Sequence, residues 1–158
     1  IKNLKPKFPK IKYISIGFGK EENNLLKLTK ELDIEKEVTF LKNIDNNLKI
    51  ALIAKANLFL MPSRIEKKSV EGFGISYVEA ASYGVASIGG KDGGEGDAID
   101  HKKTGLICNG NELESIYNSV LSFFINNEYI EFGKSAKKFS EAFYWNKVVK
   151  KYLELIRK

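Results

Sequence analysis

Short apolar blocks alternate along this chain with amphipathic stretches of helical period. Residues 11–17, IKYISIG, are β-branched and apolar and run into Gly17-Phe18-Gly19. That pattern predicts a buried strand followed by a tight turn. Leu25, Leu26, Leu28 and Leu32 then recur at helix spacing over residues 21–32. Residues 37–41, EVTFL, predict a second strand, and Asp45 stands where it can cap a helix carrying Leu48, Ile50, Leu52 and Ile53. A third strand, residues 57–62, is stopped by Pro62. A helix over residues 74–83 and a fourth strand over 85–90 come next. A glycine-rich turn then leads into a short helix, and a fifth strand covers 105–108. From residue 112 to 158 the pattern is helical and free of proline.

Strands that alternate with helices of ordinary length predict a Rossmann-like α/β domain, a parallel sheet with flanking helices. Ligands of such sheets bind where strand ends lead into helices. Three of those loops, residues 17–20, 62–74 and 89–97, are rich in glycine.

At 158 residues and 43% apolar composition the chain has enough material for one domain with a real core. It starts at Ile1 and its only methionine is Met61, which suggests a piece of a longer protein or a processed one. No basic-then-apolar leader is present, and the run IALIAKANLFLM is too short and too interrupted to span a bilayer. Cys108 is the only cysteine, which excludes an internal disulfide and suits a reducing cytoplasm. His101 is the only histidine, so a zinc site is not expected. The net charge is +6, carried almost wholly by lysine, with Arg64 and Arg157 the only arginines. A nucleic-acid reader would use more arginine and interleaved aromatics, so none is expected as partner. A solvated lysine-rich surface or attraction to anionic ligands or lipid accounts for the charge.

The stretch SVEGFGISYVEAASYG, residues 69–84, carries the chemistry. Gly72 and Gly74 flank Phe73, and glycine lets a backbone take positive φ and lets a ligand approach it. The N–H groups of Gly74 and Ile75 would open a helix, without intrahelical partners and with the dipole's partial positive charge. That suits a phosphate or a sugar hydroxyl. Glu71 stands just outside the helix and Glu79 about one turn in, where carboxylates can hold hydroxyl pairs such as a ribose diol. The plainer alternative is a glycine-capped helix with two solvent-facing glutamates.

EGFGISYVEAASYG resembles the glutamate, seven residues, glutamate motif of the retaining GT-B glycosyltransferases. Other segments resemble that family in the same order: YISIGFG, EVTFLKNI, NLFLMPSR, GGEGDAIDHKKTGLIC and FSEAFYWNKVVKKYLELI. Asn43 falls close to a usual glycine, Gly84-Val85-Ala86 replaces glycine-x-proline, and Asp97 stands where glutamate is more usual. MPSR looks most like the phosphatidylinositol-mannosyltransferase-like branch. The resemblance implies the carboxyl-terminal, donor-binding half of a GT-B fold over residues 1–158. It would transfer a hexose or N-acetylhexosamine from a UDP- or GDP-sugar to a lipid-linked or saccharide acceptor, with retention and without a metal or other cofactor. It implies that Glu71 contacts the transferred sugar, that Gly72, Phe73, Gly74 and Ile75 meet sugar and phosphate, and that Glu79 holds the ribose. Gly17 and Gly19 would lie beside the diphosphate and residues 40–42 beside the base. Arg64 would reach phosphate or else pair with Glu66. The same resemblance implies that an amino-terminal acceptor domain and a strand bearing phosphate-neutralising side chains precede these residues. That strand would lie between those at 11–17 and 57–61, so residues 1–158 alone are expected to be unstable and inactive.

Two other functions fit parts of the pattern. A dinucleotide-binding oxidoreductase needs a third glycine that GFGKEE lacks. A non-catalytic module that binds a sugar nucleotide needs only the helix end. The carboxyl-terminal helix sets Val148, Val149, Tyr152, Leu153 and Ile156 on one face and Lys147, Lys150, Lys151 and Arg157 elsewhere. It is expected to dock on its own or the preceding domain, with peripheral contact at the inner membrane face as the second option.

Overall fold

The computed structural model describes residues 1–67 and 69–157; Lys158, the end of the predicted helical stretch, lies outside them. Parallel strands and flanking helices are present as expected, but in two compact units, Ile1–Lys49 and Ile50–Lys158.

The first unit holds β1 (Tyr13–Ile16), α1 (Glu22–Glu31) and β2 (Val38–Leu41). β1 and β2 pair in parallel, with Tyr13 opposite Val38 and Ile16 opposite Leu41. The strand over residues 11–17 was expected to be buried, yet Ile14 and Ile16 stay exposed. A two-stranded sheet beside a single helix has too few elements to cover both faces. Leu4 and Ile34 are the buried apolar side chains of this unit. Asn43 takes a left-handed φ of 53°. Asparagine tolerates that conformation because its short amide bonds locally, so it meets the backbone demand of a usual glycine position. Asp45 acts as foreseen: its Oδ1 accepts from the Leu48 N–H at 2.9 Å and starts α2 (Asn46–Lys55). The boundary between the units falls inside α2.

The second unit builds a parallel sheet in the order β3 (Phe59–Met61), β4 (Ser87–Gly89), β5 (Gly105–Ile107). The central strand β4 is buried throughout. The connections carry α3 (Ile75–Ser82) and α4 (Glu95–Ala98), and α5 (Leu113–Ile125), α6 (Glu128–Ser140), a 3₁₀ turn (Glu141–Phe143) and α7 (Trp145–Ile156) follow. Each strand is shorter than its apolar block in the sequence, since the flanking residues turn away to start the loops. Ile53, Ala80 and Val85 pack with Phe59 in one core cluster, and Tyr77, Ala98 and Ile99 pack with Met61, Phe73 and Ile107 in another. Phe123 of α5 is fully buried against the ring of Phe132, centroids 5.3 Å apart.

α7 does not follow the first part of its expectation, docking on its own domain. None of its residues is buried, and Trp145 and Ile156 are about four-fifths exposed, at 80% and 79%. Its apolar face is therefore not docked on its own unit.

Phe123→Ala should cost roughly 3–5 kcal/mol, the range for deleting a fully buried aromatic ring. Urea denaturation followed by circular dichroism measures it.

Candidate functional site

Met61 ends β3, and Glu66 and Ser69 exchange both backbone hydrogen bonds. The chain then reaches Glu71, Gly72, Phe73 and Gly74. Gly74 precedes α3 with a φ of 86°, a left-handed conformation that disfavours any side chain. A Cβ there would also overlap the ring of Tyr77. The glycine is thus required twice, once by torsion and once by packing.

No side chain caps α3, so its first N–H groups depend on what lies beyond the helix. Ile75, at the first position, is 71% exposed. Glu79, four residues on, falls on the same helix face as Ile75 and is half-buried. The opposite face, Tyr77, Ala80 and Ala81, is buried in the core. The Glu71 carboxylate folds back over the loop and accepts a long bond, 3.4 Å, from the Phe73 N–H. The structure thus brings Glu71, Gly72, Phe73, Gly74, Ile75 and Glu79 together around one helix end at the carboxyl edge of the three-stranded sheet.

Two predicted residues, Gly17 and Gly19, belong to the first unit. They line a cleft of about 260 Å³ together with Phe18, Glu22, Phe40 and Lys42. Gly17 has a φ of 145°, and its N–H donates to the Leu41 carbonyl, carrying the β1–β2 ladder one step further. Phe18 stands exposed at the tip of the turn. Lys42 is held by Glu22 at 2.7 Å, so the cleft's lysine already has a counter-charge. Arg64 lies exposed in the loop after β3, and among the described residues no ion pair joins it to Glu66.

Three supporting residues escaped the sequence reading. Tyr77 is fully buried beneath the loop, packs edge-on against Phe59 at 5.8 Å, and donates its hydroxyl hydrogen to the Met61 carbonyl. Burial, with added repulsion from Glu95 and Glu71, pushes its phenol up to about 12. Phe143 packs on Phe73 at 5.5 Å, so the 3₁₀ turn braces the loop from behind. Glu95 is buried below the glycine-rich turn. Tyr77 was legible only as a helical position. The other two lie too far along the chain for spacing to connect them to residues 71–74.

A parallel sheet with a glycine-turned helix end at its carboxyl edge is the arrangement in which open α/β sheets place their ligand sites. The chain belongs to the family of glycosyl transferases group 1, whose model matches residues 1–144. One relative is the GDP-mannose-dependent alpha-(1-6)-phosphatidylinositol monomannoside mannosyltransferase of Mycobacterium tuberculosis, 28% identical over 148 residues. The match covers 91% of this chain and 38% of that protein, so the chain spans well under half of the relative's length. Among solved structures, sucrose-phosphate synthase from Thermosynechococcus elongatus superposes with a TM-score of 0.82 at 21% identity, over 99% of this chain and 40% of that one. Anabaena HepE in complex with UDP-glucose superposes with a TM-score of 0.72 at 22% identity, over 84% of this chain and 36% of that one. The fold is that of the GT-B glycosyltransferases.

Tyr77 ties the site to pH. Its folded pKa lies above the unfolded value of 10, so the neutral phenol stabilises the fold fully below pH 10. That contribution fades as pH rises from 10 towards 12. Between pH 9 and pH 11 the wild type should lose about 1–1.5 kcal/mol more stability than Tyr77→Phe, by linkage across this pKa shift. Urea melts of both proteins at the two pH values give the difference.

Proposed function

We propose that these residues form the donor-binding domain of a glycosyltransferase that moves a hexose or N-acetylhexosamine from a UDP- or GDP-sugar. The acceptor would be a lipid-linked molecule or a saccharide. Family membership supports the reaction class, and the names of similar proteins support both nucleotides, GDP in the mannosyltransferase and UDP in HepE. The observation that carries the reading is the uncapped start of α3 with Glu71 before it and Glu79 on its exposed face.

In this reading the α3 N–H groups and the main chain of Gly72, Phe73 and Gly74 meet phosphate oxygens and sugar hydroxyls, favoured by the helix dipole. Glu71 stabilises positive charge that develops at the anomeric carbon, and Glu79 holds the ribose hydroxyls. In the first unit, Gly17 and Gly19 lie beside the diphosphate, and the main chain of residues 40–42 lies beside the base. Arg64, exposed and without an ion pair among the described residues, is a candidate for phosphate. Transfer proceeds with retention and without a metal. Among the described residues no helix is long and apolar enough to cross a membrane. Peripheral contact with the inner membrane face through α7, in a cytoplasmic protein, completes the proposal. Vesicle co-sedimentation of the full-length protein with and without anionic lipid should show lipid-dependent pelleting, and binding that ignores lipid would remove the membrane part.

Mutants of the full-length protein test the site. Glu71→Gln should cut kcat more than donor affinity, because the charge it answers appears only in the transition state. Glu79→Ala should instead weaken donor binding by roughly 1–3 kcal/mol, the loss of charged hydrogen bonds. Transfer from labelled UDP- and GDP-sugars gives kcat, and calorimetry gives affinity. Small, equal effects of both mutants on both quantities would reduce the glutamates to surface residues. Tight NAD binding in place of sugar nucleotides would overturn the reaction class.

A further inference from the structure

Behind the Glu71 loop sits an acid that the proposed chemistry does not use. Glu95 opens α4 and is only 1% exposed. A buried carboxylate is costly unless hydrogen-bonded. Its Oε2 accepts from the Gly93 N–H at 2.9 Å, while Oε1 has no partner among the described residues. The side chain is wedged in place: a Cβ added to Gly89 would lie 3.3 Å from both Glu95 Cβ and Tyr77 Cζ.

The peptide that Glu95 holds leads directly to the candidate site. The next residue, Gly94, donates its N–H to the Glu71 carbonyl at 2.8 Å. The approach is so close that a Cβ on Gly93 would overlap the Glu71 carbonyl oxygen, and one on Gly94 would overlap that of Gly72. Glu71 is thereby gripped through its backbone while its carboxylate stays at the loop. An apolar side chain at position 95 could fill the same space without a desolvation cost, but it would take away the acceptor that holds the Gly93 N–H.

We propose that Glu95 is a positioning residue for Glu71: its carboxylate fixes the Gly93 peptide, and the Gly93–Gly94 turn holds the Glu71–Gly72 backbone at the start of α3. The catalytic consequence rests on the donor-site reading above; the mechanical one does not.

The test compares wild type, Glu95→Gln, Glu95→Ala and Gly93→Ala in the full-length protein, by residue-resolved amide exchange and by sugar transfer. Glu95→Ala should speed exchange at Gly94 about tenfold, the size of one lost charged hydrogen bond, and lower kcat with it. Exchange at Val120 and Phe123 in α5 should stay within about twofold, because their opening does not involve the turn. Glu95→Gln keeps an oxygen acceptor for the Gly93 N–H and should restore both readings to within about threefold of wild type. Gly93→Ala should speed Gly94 exchange with Glu95 intact, and with Glu95→Gln it carries the test if Glu95→Ala does not fold. Unchanged exchange at Gly94, or equal acceleration at Gly94 and Val120, overturns the proposal. A wild-type protein that transfers no sugar would sink the donor-site reading, while the exchange comparison would still decide the positioning role.

Discussion

α3 begins where it does because the Tyr77 ring fills the space beneath Gly74. The ring is fully buried, and its hydroxyl donates to the Met61 carbonyl at the end of β3. A buried phenol without a partner would cost free energy, so this bond fixes the helix start relative to the strand end. The loop between them must then close over the ring, and only glycine at position 74 leaves room for it. The backbone N–H groups at the start of α3, Glu71 ahead of them and Glu79 behind them take their places from that arrangement.

Two further contacts stiffen the loop from opposite directions in sequence. The Gly93–Gly94 turn comes from the end of β4, and Phe143 comes from the 3₁₀ turn after α6. Such a loop, bridged by backbone bonds and backed by rings, suits a site that must hold a ligand in one geometry. The buried acid at Glu95 is tolerated there because a hydrogen bond to the Gly93 N–H offsets part of its desolvation.

The two units differ in how much they bury. In the second, β4 is covered on both faces and two apolar clusters share Phe59. In the first, a pair of strands and one helix leave Ile14, Ile16, Leu25 and Leu28 exposed. α7 is exposed to the same degree, with its aromatic and aliphatic face in solvent. Surface lysines dominate the charge, and the ion pairs they make are mostly exposed ones of small energetic value.

Local signals carried most of the elements. Alternation of β-branched blocks with leucine-spaced ones marked the strands and the helices between them, whereas residues 112–158 read as one helical stretch without its division into α5, α6 and α7. Asp45 and Gly74 were readable because a cap and a left-handed turn are local demands on one residue. The helix-end group of Glu71, Gly74, Ile75 and Glu79 was also legible, being contiguous in the chain. Tertiary structure alone decided the division into two sheets, the exposure of β1, the burial of Glu95 and the pairing of Phe73 with Phe143. Each of these depends on which surfaces meet across dozens of residues. In sequence Glu95 is one more acid in a glycine-rich turn; only the packing of Gly89, Gly93 and Tyr77 around it takes it out of water.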